Sequence, residues 1–124
     1  MNEKTVTITK ETDGKEEQVE VRVRYCAAVE TGFEQLRGKS ISTLSPESPE
    51  EDWIALGLSA IVAAYEYRKE QPPVDSHDIL YTAKPSELMQ LFTSVMELRA
   101  EWYRVPAVMA EAGKPTSKAR KSKN

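Results

Sequence analysis

The sequence predicts an α+β fold: an N-terminal antiparallel β-hairpin packed on a small bundle of about three main α-helices, with a disordered basic C-terminal tail. Three observations carry this. Two alternating, β-branched stretches flank Asp13-Gly14. Apolar residues then switch to spacings of three and four, the period of a helix. Residues 114–124 hold five basic side chains and no acidic one. The domain organisation that follows is a single α+β domain over 1–113, with the hairpin at 5–25, helices at about 26–37, 53–69 and 86–104, and the tail at 114–124.

The hairpin is the most tightly specified element. Thr5 to Thr9 and Val19 to Tyr25 alternate, and Asp-Gly favours a two-residue type I′ turn, whose central residues both need φ > 0. Counting outward from that turn pairs Ile8 with Val19, Val6 with Val21 and Lys10 with Glu17, so one face is apolar and one pair is oppositely charged. Only Glu11 opposite Glu16 is unfavourable. A one-residue slip would turn the apolar set to the other face. A two-stranded hairpin is marginal alone, so its apolar face needs a cover, and its two edges are expected to be exposed.

Helical spacing begins at Tyr25, Val29, Phe33 and Leu36, with Gly38 as the C-terminal stop. Ser40 to Glu51, with Pro46 and Pro49, reads as a loop, and the acidic residues 50–52 suit the start of the next helix. In that helix Ile54, Leu58, Ile61, Val62 and Tyr65 form an apolar stripe beside a flat strip of Gly57, Ala60 and Ala64. The strip permits close approach of another helix, from within the fold or from a partner. Pro72-Pro73 ends this segment, and 75–81 reads as a short turn with Ile79 and Leu80 inward. The third helix carries Leu88, Leu91, Val95, Leu98, Trp102 and Val105 as a heptad-like seam, widened by Met89, Phe92, Met96 and Tyr103. Pro106 kinks or ends it, and Val108-Met109 is expected to dock one further turn.

Charge divides along the chain. The formal net charge is −3, from 17 basic and 20 acidic residues. All 20 acidic residues lie before residue 114, so an acidic body is joined to a basic end. That end has no aliphatic residue larger than Ala119 and cannot bury enough surface to offset its ordering entropy. Nucleic-acid binding is expected only through 114–124, since the acidic body repels phosphate. No apolar stretch reaches the ~20 residues of a membrane span and no apolar leader opens the chain, so no membrane partner is expected and the protein is read as cytoplasmic.

The residues available for chemistry are few. One Cys and one His cannot build a Cys/His zinc site or an intrachain disulfide. Ser76-His77-Asp78 is contiguous, whereas triad side chains converge from separated segments. Cys26 reads as a small buried residue at the strand–helix junction. Five scattered glycines form no phosphate loop. The sequence thus predicts no enzyme, no catalytic residues, no cofactor and no metal. Candidate partner-binding residues are Met89, Phe92 and Met96, because methionine adapts to varied surfaces, together with Gly57, Ala60 and Ala64. Self-association is expected, as a dimer or a ring.

The run Arg24-Tyr25, then Phe33-Glu34, then Gly38-Lys39-Ser40-Ile41 and Leu44 resembles the tail assembly chaperones of long-tailed bacteriophages. Asp52-Trp53-Ile54-Ala55-Leu56 and the proline-rich break before Leu88 are similar as well, so the resemblance spans about 19–102. It implies a non-catalytic protein of the bacterial host cytoplasm that holds the tape measure protein, and possibly contacts the tail tube protein, during tail morphogenesis. It further implies action in multiple copies, absence from the finished virion and, in many members, a frameshifted long form. The alternatives are a small nucleic-acid-associated protein of a mobile element acting through its basic tail, and a structural tail or head–tail component.

Overall fold

The computed structural model describes residues 3–104. The expectations for Val105, Pro106, Val108-Met109 and the basic tail at 114–124 lie outside the described residues. Strands β1 (Glu3–Thr12) and β2 (Lys15–Arg24) pair in the register counted from the turn: Val6 with Val21, Ile8 with Val19, Lys10 with Glu17 and Thr12 with Lys15. Asp13 and Gly14 take φ of 54° and 77°, as a type I′ turn requires. Three helices follow, α1 (Ala27–Arg37), α2 (Glu50–Tyr67) and α3 (Pro85–Trp102). A 3-10 turn at Ile41–Thr43 and a π-helical turn at Asp78–Thr82 lie between them. The architecture is α+β, as the sequence predicts.

The core sits between the hairpin's apolar face and the helices. Val6, Ile8, Val21 and Val23 meet Phe33, Leu56, Ile61, Leu91, Val95 and Leu98, all buried. Helix α2 is central, packing against β2 on one side and α1 and α3 on others. It approaches α3 so closely that a Cβ on Gly57 would lie 2.6 Å from Leu91 Cδ2, well inside van der Waals contact. Gly57, Ala60 and Ala64 are therefore filled from within the fold.

The α1–α2 connection explains several residues of the 33–44 run. Gly38 (φ 70°) terminates α1 in the left-handed region, and its N–H donates to the Glu34 carbonyl at 2.7 Å. Arg37 Nε and Lys39 Nζ each lie 2.7 Å from a carboxylate oxygen of the fully buried Asp52. The Ser40 hydroxyl accepts from Ser42 N–H at 3.2 Å, and Ile41 is buried. Asp52 thus ties the end of α1 to the start of α2, beyond the helix-dipole role its position suggests. Its carboxyl is held below the ordinary carboxylate range, first by Lys39 and then by Arg37 acting against burial.

Several expectations are corrected. Leu36 is 58% exposed because, among the described residues, α1 packs mainly on α2 and leaves its Leu36 side uncovered. Val62 is also exposed: α2 buries an arc through Ala55, Leu56 and Ala63, rotated from the large-residue stripe. Leu80 points outward because the Ala83 N–H reaches back five residues to the Asp78 carbonyl, which winds the turn wider than an α-helix. Trp102, placed in the seam, is 44% exposed and sets its ring edge-on to Tyr25. Cys26 is half-buried as the N-cap of α1. The hairpin edges are partly covered. Glu87 and Thr82 take the outward N–H and carbonyl of Thr9, and the Tyr65 hydroxyl accepts from Arg22 N–H.

Candidate protein-binding site

Helix α3 has two apolar faces. The inner one, Leu91, Val95 and Leu98, is fully buried. On the other, Met89, Phe92 and Met96 come together, as their spacing of three and four requires. Phe92 and Met96 are half-buried at the edge of the core, and Met89 is 64% exposed. Trp53, on the first turns of α2, completes the surface: its ring lies 5.8 Å from that of Phe92, tilted by 39°. Together they floor an open groove of about 690 Å³, edged by Pro46 and Ser48 of the loop before α2. Thr93 and Ala100 keep its centre low.

Among the described residues the groove carries charge only at its rims. Glu50 stands on the α2 side, and Glu97 on the side of α3 that faces β1, where it pairs with Lys4. Among the described residues no lysine or arginine lines it. This arrangement suits the apolar stripe of an amphipathic helix, taken by shape and apolar burial.

A clasp beneath the groove fixes α3 against the hairpin. Pro85 begins the helix, and the Glu87 side chain reaches back to accept from Lys84 N–H at 2.9 Å. The same carboxylate accepts from Thr9 N–H at 2.8 Å and from the Thr9 hydroxyl at 2.7 Å. Thr82 Oγ1 donates to the Thr9 carbonyl at 2.8 Å. Burial pushes the Glu87 carboxyl up, and the Lys84 and Thr9 donors outweigh it, leaving the group below its ordinary value. At the far end of α3, Tyr25 and Tyr103 both donate to Glu30 Oε2. Burial first, and then Glu30, holds the Tyr25 phenol above its ordinary range.

Of the six candidate binding residues, the structure brings Met89, Phe92 and Met96 to one surface and places Gly57, Ala60 and Ala64 in the interior. Sequence reasoning missed Trp53 as the fourth member. Its signal was its place at the start of α2, off the main apolar stripe. A second, smaller groove of about 540 Å³ lies between α1 and α2, where Leu36 and Val62 are exposed.

His77 is exposed and stacks on Tyr81 with ring centroids 4.9 Å apart. Among the described residues, Asp75, His77 and Asp78 are the one group whose ligand atoms lie close enough for a metal, within 4.8 Å of one another. The two carboxylates are already engaged in the turn, each accepting the other residue's N–H, at 2.9 and 3.1 Å. Among the described residues no helix is long and apolar enough to cross a membrane. Neither protein-family models, nor curated sequences, nor solved structures give a match to this chain.

Proposed function

We propose that this protein is a non-catalytic tail assembly chaperone of a long-tailed phage or prophage. It holds helical segments of the tape measure protein in the groove formed by Trp53, Met89, Phe92 and Met96. The observation that supports this reading is the second apolar face of α3, an aromatic and methionine surface that the fold leaves open. Methionine side chains repack against differing apolar partners, which suits repeated weak contacts along one long helical client. The sequence resemblance over about 19–102 supports the family reading, and the groove is compatible with a helical client.

Co-expression with the neighbouring tail genes, followed by capture of this protein, tests the reading. The tape measure protein is expected to be retained by the native chain and lost with Met89→Asp. If it is never retained, the proposal fails. Recovery of the protein in purified particles would favour a structural tail component instead, because a chaperone leaves before the virion is complete.

A further inference from the structure

Resting on that groove-binding reading, we infer that the occupant is a cationic amphipathic helix of another protein, with lysines or arginines flanking its apolar stripe on both sides. The groove is walled by carboxylates on opposite sides, Glu50 from α2 and Glu97 from α3, above a floor that is uncharged among the described residues. Glu101 continues the α3 wall one turn beyond Glu97, on the same stripe of the helix. Glu50 takes part in none of the ion pairs among the described residues. Lys4 pairs with Glu97 in an exposed contact, which a cation on the incoming helix can replace at little cost.

The dimensions agree. Met89 to Ala100 covers about 16 Å along α3, or three turns, enough to seat three turns of a second helix. Thr93 and Ala100 along the floor allow that helix to come close, while Trp53, Phe92 and Met96 take its large apolar side chains. An anionic helix would set its flanking carboxylates against both walls, so the walls discriminate as well as attract.

The test uses the full chain and two fluorescein-labelled helical peptides of about 18 residues. Both carry one leucine stripe, flanked by lysines in one peptide and by glutamates in the other. Anisotropy titration is expected to show the lysine-flanked peptide bound about tenfold more tightly at low salt. The margin should shrink as salt is added, and the Glu50→Lys, Glu97→Lys double variant should reverse the order. Met89→Asp, at an exposed position that leaves the fold intact, should remove binding of both.

Equal affinity for the two peptides, with Met89→Asp still abolishing binding, overturns the charge preference and leaves the groove in use. Binding that ignores Met89→Asp overturns the groove reading itself. A dimer in light scattering that Met89→Asp dissociates would assign the groove to a second copy of the chain. A gain in affinity for both peptides when Lys118, Arg120 and Lys121 become glutamine would assign it to the chain's own C-terminal segment. Either result overturns the inference.

Discussion

Leu91 and Met89 stand two residues apart on α3, the first fully buried and the second 64% exposed. Both belong to apolar stripes at helical spacing, and they face opposite surroundings. Behind Leu91, the glycine at position 57 lets α2 come so near that no side-chain atom fits between them. On the side of Met89, α2 supplies the Trp53 ring and, at the rim, Glu50, and among the described residues the groove stays open. The difference shows how one helix serves two purposes. Its inner face is matched atom for atom and sets stability, while its outer face is built from pliable side chains over which a partner can settle. Substitutions that act on one face and spare the other test this division.

The largest effect belongs to the inner face. Leu91→Ala is expected to cost about 2–5 kcal/mol, measured by urea unfolding, because the contact with Gly57 cannot collapse to fill the hole. Gly57→Ala should destabilise by about 1–3 kcal/mol through overpacking against Leu91. In the Leu91→Ala background the same change should become neutral or stabilising, since the obstructing atoms are gone and alanine favours helix by about 1 kcal/mol. Simple additivity in that double-mutant cycle would break the account of the close approach.

Next in size is the clasp. Glu87→Ala removes the acceptor for Lys84 N–H, Thr9 N–H and the Thr9 hydroxyl together. A loss of about 2–3 kcal/mol is expected, because a charge-assisted bond is lost and a strand N–H is left without its partner. Hydrogen exchange at the Thr9 amide should accelerate more than at Ile8, which pairs within the hairpin.

Acid should act on the same inner contacts. Glu87 and Asp52 both have carboxyls held below the ordinary range in the folded protein. Groups depressed by folding contribute stability that is complete at neutral pH and is lost as pH falls through their folded pKa values. The urea midpoint should therefore be level near neutrality and drop below about pH 4, where the unfolded chain takes up these protons first. Asp52→Asn should lower the neutral-pH midpoint and flatten the acid drop. A midpoint that rises toward acid would contradict the assignment.

How much of this was legible in the sequence follows from what each pattern encodes. The hairpin was readable to the residue, since Asp13-Gly14 fixes the turn and a period of two leaves a single register for Val6, Ile8, Val19 and Val21. The helices were readable as elements but not as environments. Spacing places Leu36 and Val62 on apolar stripes, yet it cannot say which neighbours arrive, and among the described residues both stay exposed. The π-helical turn, which sends Leu80 outward, is a one-residue widening that leaves no mark in apolar spacing. Glu87 reads locally as a helix-capping residue, and its second role depends on Thr9, remote in the chain. Within the candidate site, Met89, Phe92 and Met96 were legible because they share one helix. Trp53 was not, because it comes from another.

The smallest expected effect on stability falls on the outer face and is the most informative about function. Met89→Ser should change unfolding free energy by less than about 0.5 kcal/mol, because that side chain is already in contact with water. If the groove is a binding surface, the same change should weaken capture of a helical client at least several-fold, since an exposed apolar anchor at one end of the groove is removed. Stability and binding would then separate along a single helix. Thermal unfolding and peptide anisotropy on one preparation measure both. A Met89→Ser protein that unfolds early would show that this face also helps hold the fold. A protein that is stable and binds normally would move the client elsewhere, with the α1–α2 groove at Leu36 and Val62 as the next surface to alter.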